Sequence, residues 1–268
     1  MNYRLTFVFN LFGKSMTSVW LPLLFTIFVW WFSTGFILWL DRFSPHYFKT
    51  IMFLSTIVLL LAFLGLYHSS RTNTVTNAYC AFSCALLIWG WQELGFLLGY
   101  VTGSRKTPCP ENAKGWLRAK YAFQAVNHHE LALIVLLLIV VVISLDAKNM
   151  TGLWTFLILW LMRQSAKLNI FFGVLNLNEN FLPTHLKYLQ TYFRRAPMNY
   201  LMPVSLVGSM LFVVPLWTDA TIVGLSSPEV VSKTILATLL SLAILEHLLL
   251  VIPFQVEFLW KWGFRQEG

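Results

Sequence analysis

"LMRQSAKLNIFFG", residues 161–173, decides how the rest of the chain is read. Just upstream, 151–161 is almost wholly apolar, and apolar residues resume at Leu168. Between them stand Arg163 and Lys167, with Gln164 and Asn169 alongside. In a helix surrounded by lipid, each such charge costs about 2.5–3.5 kcal/mol at the bilayer centre unless it finds a partner. The partners must come from other helices.

The composition is that of a membrane protein. Of 268 residues, 57% are hydrophobic and 11% charged, against roughly a quarter charged in soluble domains. Mean hydropathy is +0.67, and a soluble chain of this size could not hide so much apolar surface. No polar stretch approaches the ~50 residues that an independent core needs. The formal net charge of +8 reports topology before it reports an acidic partner. The basic residues read as loop anchors, which excludes a nucleic-acid surface. Cys80 and Cys84 lie one helical turn apart and Cys109 lies in a loop; with no further ligands nearby in sequence, the pair reads as packing. No phosphate loop, zincin helix or nucleophile elbow occurs. Residues 1–19 read as an extension leading into a retained first helix, with an interfacial segment over 3–12, and not as a cleaved signal.

A bilayer core takes about 20 apolar residues per helix. Runs of that kind fall at 20–40, 48–67, 78–100, 123–145, 153–174, 201–217 and 235–256. The expected fold is therefore all-α: a polytopic helical bundle of about seven spans occupying residues 20–262, with a short tail at 263–268. Arg4, Lys14, Arg71, Lys148 and Lys233 fall to one side of such a bundle. The opposite side holds the larger basic set, including Arg105, Lys106, Lys114, Arg118 and Lys120 in one loop and Lys187, Arg194 and Arg195 in another. The richer side should be cytoplasmic, which places the N-terminus in the periplasm and the C-terminus in the cytoplasm.

With that topology, four spans carry polar residues at similar depth. The third has Gln92 and Glu93, the fourth His128, His129 and Glu130, the fifth Arg163, Lys167 and Asn169, and the seventh Glu246 and His247. Arg163 and Lys167 are four apart and share one helix face, which should turn inward toward the carboxylates. Four uses of the layer stay open. It is an ion-pair clasp that fixes helix register, or a pigment site in which His129 or His247 offers an imidazole to a chlorin magnesium. The third is a carboxylate–histidine metal site, and the fourth a polar translocation path for a small solute. Gly95, Gly99 and Gly103 form a small-residue stripe that would permit close helix packing.

On the basic side, "NLNENFLPTHLKYLQTYFRRAPMNYLMP" (176–203) predicts an amphipathic helix over about 183–195 lying in the membrane plane. Leu182, Leu186, Leu189 and Phe193 fall on its apolar face, while His185, Lys187, Gln190 and Arg194 turn away. Its polar residues are candidates for lipid or partner contact.

Several of these stretches resemble one family. They are "FVWWFSTGFILWLD" (28–41), "WGWQELGFLLGYVTG" with "CP" after it (89–110), "HHELA" (128–132), and "SAKLNIFFGVLNLNENFLPTHLKYLQTYFRRAPMNYLMPVS" (165–205). They are similar to the photosynthetic complex assembly protein 2 family, the PuhE-type proteins of anoxygenic phototrophs. The similarity runs from about residue 25 to 260, with 165–205 its most specific part. The resemblance implies a multi-pass protein of the bacterial inner, photosynthetic membrane that assists assembly of reaction-centre or light-harvesting complexes. It implies those subunits and membrane lipid as partners, and bacteriochlorophyll or a precursor as the one cofactor to consider. In that reading Glu93, His129, Glu130, Arg163, Lys167 and Glu246 hold the bundle or poise a pigment or headgroup site. Asn169, Asn176, Asn178 and Glu179 shape the cytoplasmic mouth. A non-enzymatic factor is the expectation, and a membrane metalloenzyme acting on a pigment, isoprenoid or quinone is the rival.

Overall fold

The computed structural model describes residues 2–177, 179–221, 226–254 and 256–263. Seven long helices follow one another: α1 (Asn2–Asp41), α2 (Phe48–Ser70), α3 (Val75–Leu97), α4 (Gly115–Ile143), α5 (Thr151–Phe172), α6 (Leu201–Ala220) and α7 (Ser227–Leu249). Among the described residues the one β contact is an isolated bridge between Val174 and Arg195, so the chain is all-helical.

Six helices are long and apolar enough to cross a membrane: Ser18–Asp41 within α1, Pro45–Ser70 containing α2, and α3, α4, α6 and α7. This is the pattern of a multi-pass membrane protein. α5 has 22 residues, sufficient length for a crossing, but its polar residues lower its apolarity below that of its neighbours. The expected seven spans thus become six apolar spans and one polar helix running between the same two ends of the bundle. α1 is continuous from Asn2, so the expected extension prolongs the first helix and makes no separate interfacial piece.

α3 and α7 form the centre. About half of the most apolar stretch of each is covered by protein (50% and 56%), against 17% for α1, α2 and α6. Small residues permit this packing. Gly65 of α2 faces the Cys84 sulfur and Gly152 of α5 faces Leu66, and a Cβ at either would overlap its neighbour. Cys80 and Cys84 are free thiols, their sulfurs 4.0 Å apart along the helix.

At one end of the bundle Asn149 ties four elements. Its Nδ2 donates to the carbonyls of Ser69 (3.1 Å) and Asn77 (2.9 Å), capping α2 and reaching α3. Its Oδ1 accepts from the Thr151 hydroxyl (2.6 Å), which in turn lies 2.8 Å from Ser232 of α7.

The other end is built from the two long loops. α3 stops at Leu97 because Gly99 adopts φ +83°, letting Tyr100 N–H reach the Gly95 carbonyl (2.9 Å) and Gly99 N–H the Phe96 carbonyl (3.0 Å), a Schellman closure. The glycine stripe is accordingly not one helix face, since Gly99 and Gly103 lie beyond the helix. The loop then descends along α4, where Thr102 C=O accepts from His129 N–H (2.8 Å). A Cβ on Gly103 would lie 2.2 Å from the Ala125 carbonyl carbon.

The segment expected to lie on the membrane is a 3-10 helix, Thr184–Tyr192. With three residues per turn, Leu186, Leu189 and Tyr192 share one face. That face is buried against Phe96, Ala125 and neighbouring residues of α3 and α4, so protein covers it and lipid does not. Arg105 donates to the Tyr192 hydroxyl (2.8 Å), which donates to Thr107 C=O (2.9 Å), and Thr191 Oγ accepts from Cys109 N–H (2.8 Å). The two loops are therefore one structure.

The Gly103 contact yields a prediction. Gly103→Ala must displace the loop from backbone atoms of α4 and should cost about 1–3 kcal/mol, the usual penalty for overpacking. Gly208→Ala on α6, with open space at its Cβ, should leave stability unchanged or slightly raised. Thermal unfolding of the detergent-purified proteins reads both, and equal midpoints would contradict the packing described.

Candidate functional site

α5 carries polar side chains on two opposite faces, and the expected layer divides accordingly. Toward α3 and α4, Arg163 Nη2 binds Glu93 Oε2 at 3.0 Å and Lys167 Nζ binds Glu130 Oε1 at 2.5 Å. Gln164 Nε2 donates to the other oxygen of Glu130 at 2.7 Å. Toward α6 and α7, the hydroxyls of Ser165 and Ser205 lie 2.8 Å apart, and Asn169 Nδ2 donates to Ser205 Oγ (3.1 Å). His247 donates through Nδ1 to the Ala243 carbonyl (2.9 Å) and faces Ser165 Oγ through Nε2 (2.9 Å). Asn199 closes this second knot by donating to the carbonyls of Asn169 (3.1 Å) and Gly173 (2.8 Å) at the end of α5.

Glu246 joins neither knot. One of its oxygens accepts from the indole N–H of Trp30 on α1 at 3.0 Å. Arg163 lies close enough for its charge to act on the Glu246 carboxylate, yet the two form no ion pair. Two of the three expected acids thus meet the α5 cations directly, and the third stands next to them.

The remaining predicted residues are placed as follows. His128 points outward and is exposed. His129 is 1% exposed, packs on the Phe96 ring (centroids 4.7 Å apart), and makes no hydrogen bond through either ring nitrogen. Gln92 is fully buried on α3 with no hydrogen bond of good geometry. Asn176 caps α7, donating to the carbonyls of Leu249 (2.7 Å) and Ile252. Glu179 meets Arg195 at 3.5 Å on the surface. His185 lies beside Gly99, Lys187 and Arg194 are exposed, and Asn178 lies outside the described residues.

A branched cavity of about 1640 Å³ runs through this region, larger than the ~300–1,000 Å³ of ordinary small-molecule pockets. Its wall is mostly apolar, with Trp30, Trp89 and Trp160 among its aromatic residues and Glu93, Glu130, Arg163, Lys167 and Glu246 as its charged ones. Both buried histidines are absent from that wall, and His247 already uses both ring nitrogens. An imidazole ligand to a pigment in the cavity is therefore not what this geometry offers. Among the described residues, no three His, Cys, Asp or Glu side chains converge to hold a metal ion.

Trp30, Ser165, Ser205, Asn199 and Arg118 are site residues that the sequence did not single out. Arg118 donates to the carbonyls of Phe171 (3.2 Å) and Tyr192 (2.5 Å) and stacks on the Phe171 ring at 4.1 Å. It fastens α4 to the end of α5.

Comparison with known proteins gives a family. Residues 16–268 match DUF3623, a family described as a protein of unknown function. The chain belongs to this family. The first fifteen residues fall outside the DUF3623 match. A Rhodobacter capsulatus protein described as an uncharacterized 30.4 kDa protein in the puhA 5' region is 36% identical over 251 residues, covering 92% of this chain and 91% of that protein. No solved structure matches.

The paired charges can be tested by a mutant cycle. Removing one partner of a buried ion pair usually costs about 3–5 kcal/mol; here Arg163 is 43% exposed onto the cavity, so Arg163→Leu should cost nearer 2 kcal/mol by the usual discount for exposed pairs. Arg163→Leu combined with Glu93→Gln should recover at least half of that loss. Chemical denaturation in detergent measures it, and a double mutant no more stable than the single would show that the pair does not act as a unit.

Proposed function

We propose that this protein is a membrane-embedded assembly factor for photosynthetic pigment–protein complexes, and that its cavity holds a pigment or related molecule during transfer to a reaction-centre or light-harvesting subunit. The observation that carries the reading is the cavity itself: a large, mostly apolar chamber between apolar helices, with five charged side chains on its wall. A transfer protein needs such a chamber. The R. capsulatus relative is described by its place in the puhA 5' region, and we read that place as support for the same process. In this reading the chain crosses the inner membrane seven times, with α5 as the polar seventh crossing. The coupled loops 98–114 and 173–200 face the cytoplasm, following the basic majority on that side. Those loops form the surface that a nascent subunit would meet.

Among the described residues no three histidines, cysteines or acids come together, which favours the assembly reading over the metalloenzyme rival. The pigment need not be ligated through histidine, since Arg163 and the indole walls offer it a cation and flat apolar faces.

Affinity purification in mild detergent from a phototrophic host tests the proposal. The expected eluate contains reaction-centre or light-harvesting polypeptides together with a chlorin absorption band. An eluate without such subunits, from membranes that make them, would remove the assembly role. Stoichiometric iron or zinc that is lost on changing Glu130 would restore the enzyme reading.

A further inference from the structure

α1 and α2 are joined by a short turn, Pro45–Tyr47, and still do not pack together. α1 lies on α3 and α7, and α2 lies on α3. Ile37 and Leu40 of α1, Ile51, Leu54 and Val58 of α2 and Gly90 of α3 line the same cavity, and Gly90 faces Ile37. Phe32 and Phe36 stack in parallel along its α1 edge, centroids 5.9 Å apart, and both also reach the outer surface. The opposite flank of the cavity differs. There α4 is tied to α5 through Lys167, Gln164 and Glu130, and through Arg118 at the end. Among the described residues no hydrogen bond crosses between α1 and α2.

The same cavity wall carries a donor and an acceptor that the protein does not fully use. Arg163 has five N–H groups, and among the described residues its one hydrogen bond goes to Glu93. The rest of its side chain faces the cavity. Glu246 accepts one indole N–H and is otherwise exposed on the wall. Beside them Trp30 and Trp89 supply flat aromatic faces.

We propose that the cavity takes a flat-ringed, long-tailed, lipid-soluble molecule that enters sideways from the bilayer between α1 and α2, with Arg163 and Glu246 holding its polar head. This rests on the reading of the cavity as a ligand chamber. The head presents an acceptor oxygen to Arg163 and a hydroxyl or ring N–H to Glu246. The ring lies against the indoles, and the tail occupies the apolar gap. A tetrapyrrole ester and an isoprenoid quinol share this chemistry, and the experiment separates them.

Gly90 provides the cleanest test. A Cβ there meets only Ile37, at an ordinary 3.5 Å, so Gly90→Leu starts without a clash at its Cβ, and a thermal midpoint measured beside the binding assay separates a blocked cavity from a damaged fold. Wild-type protein, Gly90→Leu, the charge-balanced Arg163→Gln with Glu93→Gln, and Gly208→Leu as a remote control are purified in nanodiscs. Their organic extracts are then analysed by mass spectrometry and absorption. The wild type and the control should carry about one ring-headed, long-tailed molecule per chain. Gly90→Leu should carry at least roughly tenfold less, a factor worth 1.4 kcal/mol of binding, and the double variant should also lose its load. A visible or near-infrared band identifies a tetrapyrrole, and a redox-sensitive ultraviolet band a quinone. Extracts holding only bulk phospholipid, or Gly90→Leu protein that keeps its full load, overturn the proposal. If extraction fails while photosynthetic subunits still co-purify, the lateral site falls and the assembly role stands. A bound molecule without subunits supports the site and removes the role.

Discussion

The bundle depends on α5 having both its cations and the hydroxyl and amide groups around them met by neighbouring elements. In hydrocarbon an unmet N–H or carboxylate costs several kcal/mol, and α5 gathers two cations, two amides and a hydroxyl within residues 163–169. They are answered on both sides. Glu93 and Glu130 take the cations on one face; Ser205 and His247 meet the hydroxyl and amide groups on the other, and Asn199 donates to the backbone carbonyls at the helix end. α3, α4, α6 and α7 are thereby fixed in register against a single element. A shift of α5 by one turn would break both sets together. That explains why the least apolar helix sits among its neighbours and not at the lipid edge, where an amphipathic helix could have shielded only one face.

Much of this was legible in the sequence because charge in an apolar run has few physical explanations. Arg163 and Lys167 required acids at matching depth on other helices, and Glu93 and Glu130 are where that reasoning placed them. Glu246 was placed by the same argument, but its direct partner is the indole N–H of Trp30 on α1. Indole N–H groups and serine hydroxyls blend into a membrane sequence, so the second knot left no signal beyond Asn169 and His247. The division into two faces was also hidden, since residues 163–169 cover more than a full turn and spacing alone does not say which neighbour each one meets.

The misread segments share another cause. The stretch 183–195 has the apolar pattern of a helix seeking a surface, and pattern does not distinguish a lipid surface from a protein one. Phe96, Ala125 and Tyr121 provide the surface in this case. The small residues at 95, 99 and 103 carry helical spacing, but the φ +83° of Gly99 ends the helix there. Gly103 serves as the contact point of a loop with α4, a use of glycine that spacing does not reveal.

The two flanks of the cavity are held by different physics. On the α4 side the joints are charged and directional: Glu130 to Lys167 and Gln164, and Arg118 to Phe171 and Tyr192. Such contacts are strong in low dielectric and tolerate little sliding. On the α1–α2 side the walls are aliphatic and aromatic, and in lipid there is no hydrophobic force to press two apolar helices together, because hydrocarbon chains serve either surface equally well. The opening therefore costs little to maintain, and any apolar chain that fills it simply replaces one hydrocarbon contact with another. Selectivity has to come from the few groups that lipid cannot satisfy, the spare donors of Arg163 and the free oxygen of Glu246. Those two stand where the helices carrying the cations and the third acid come together, so the interaction that orders the fold also fixes the geometry of the site.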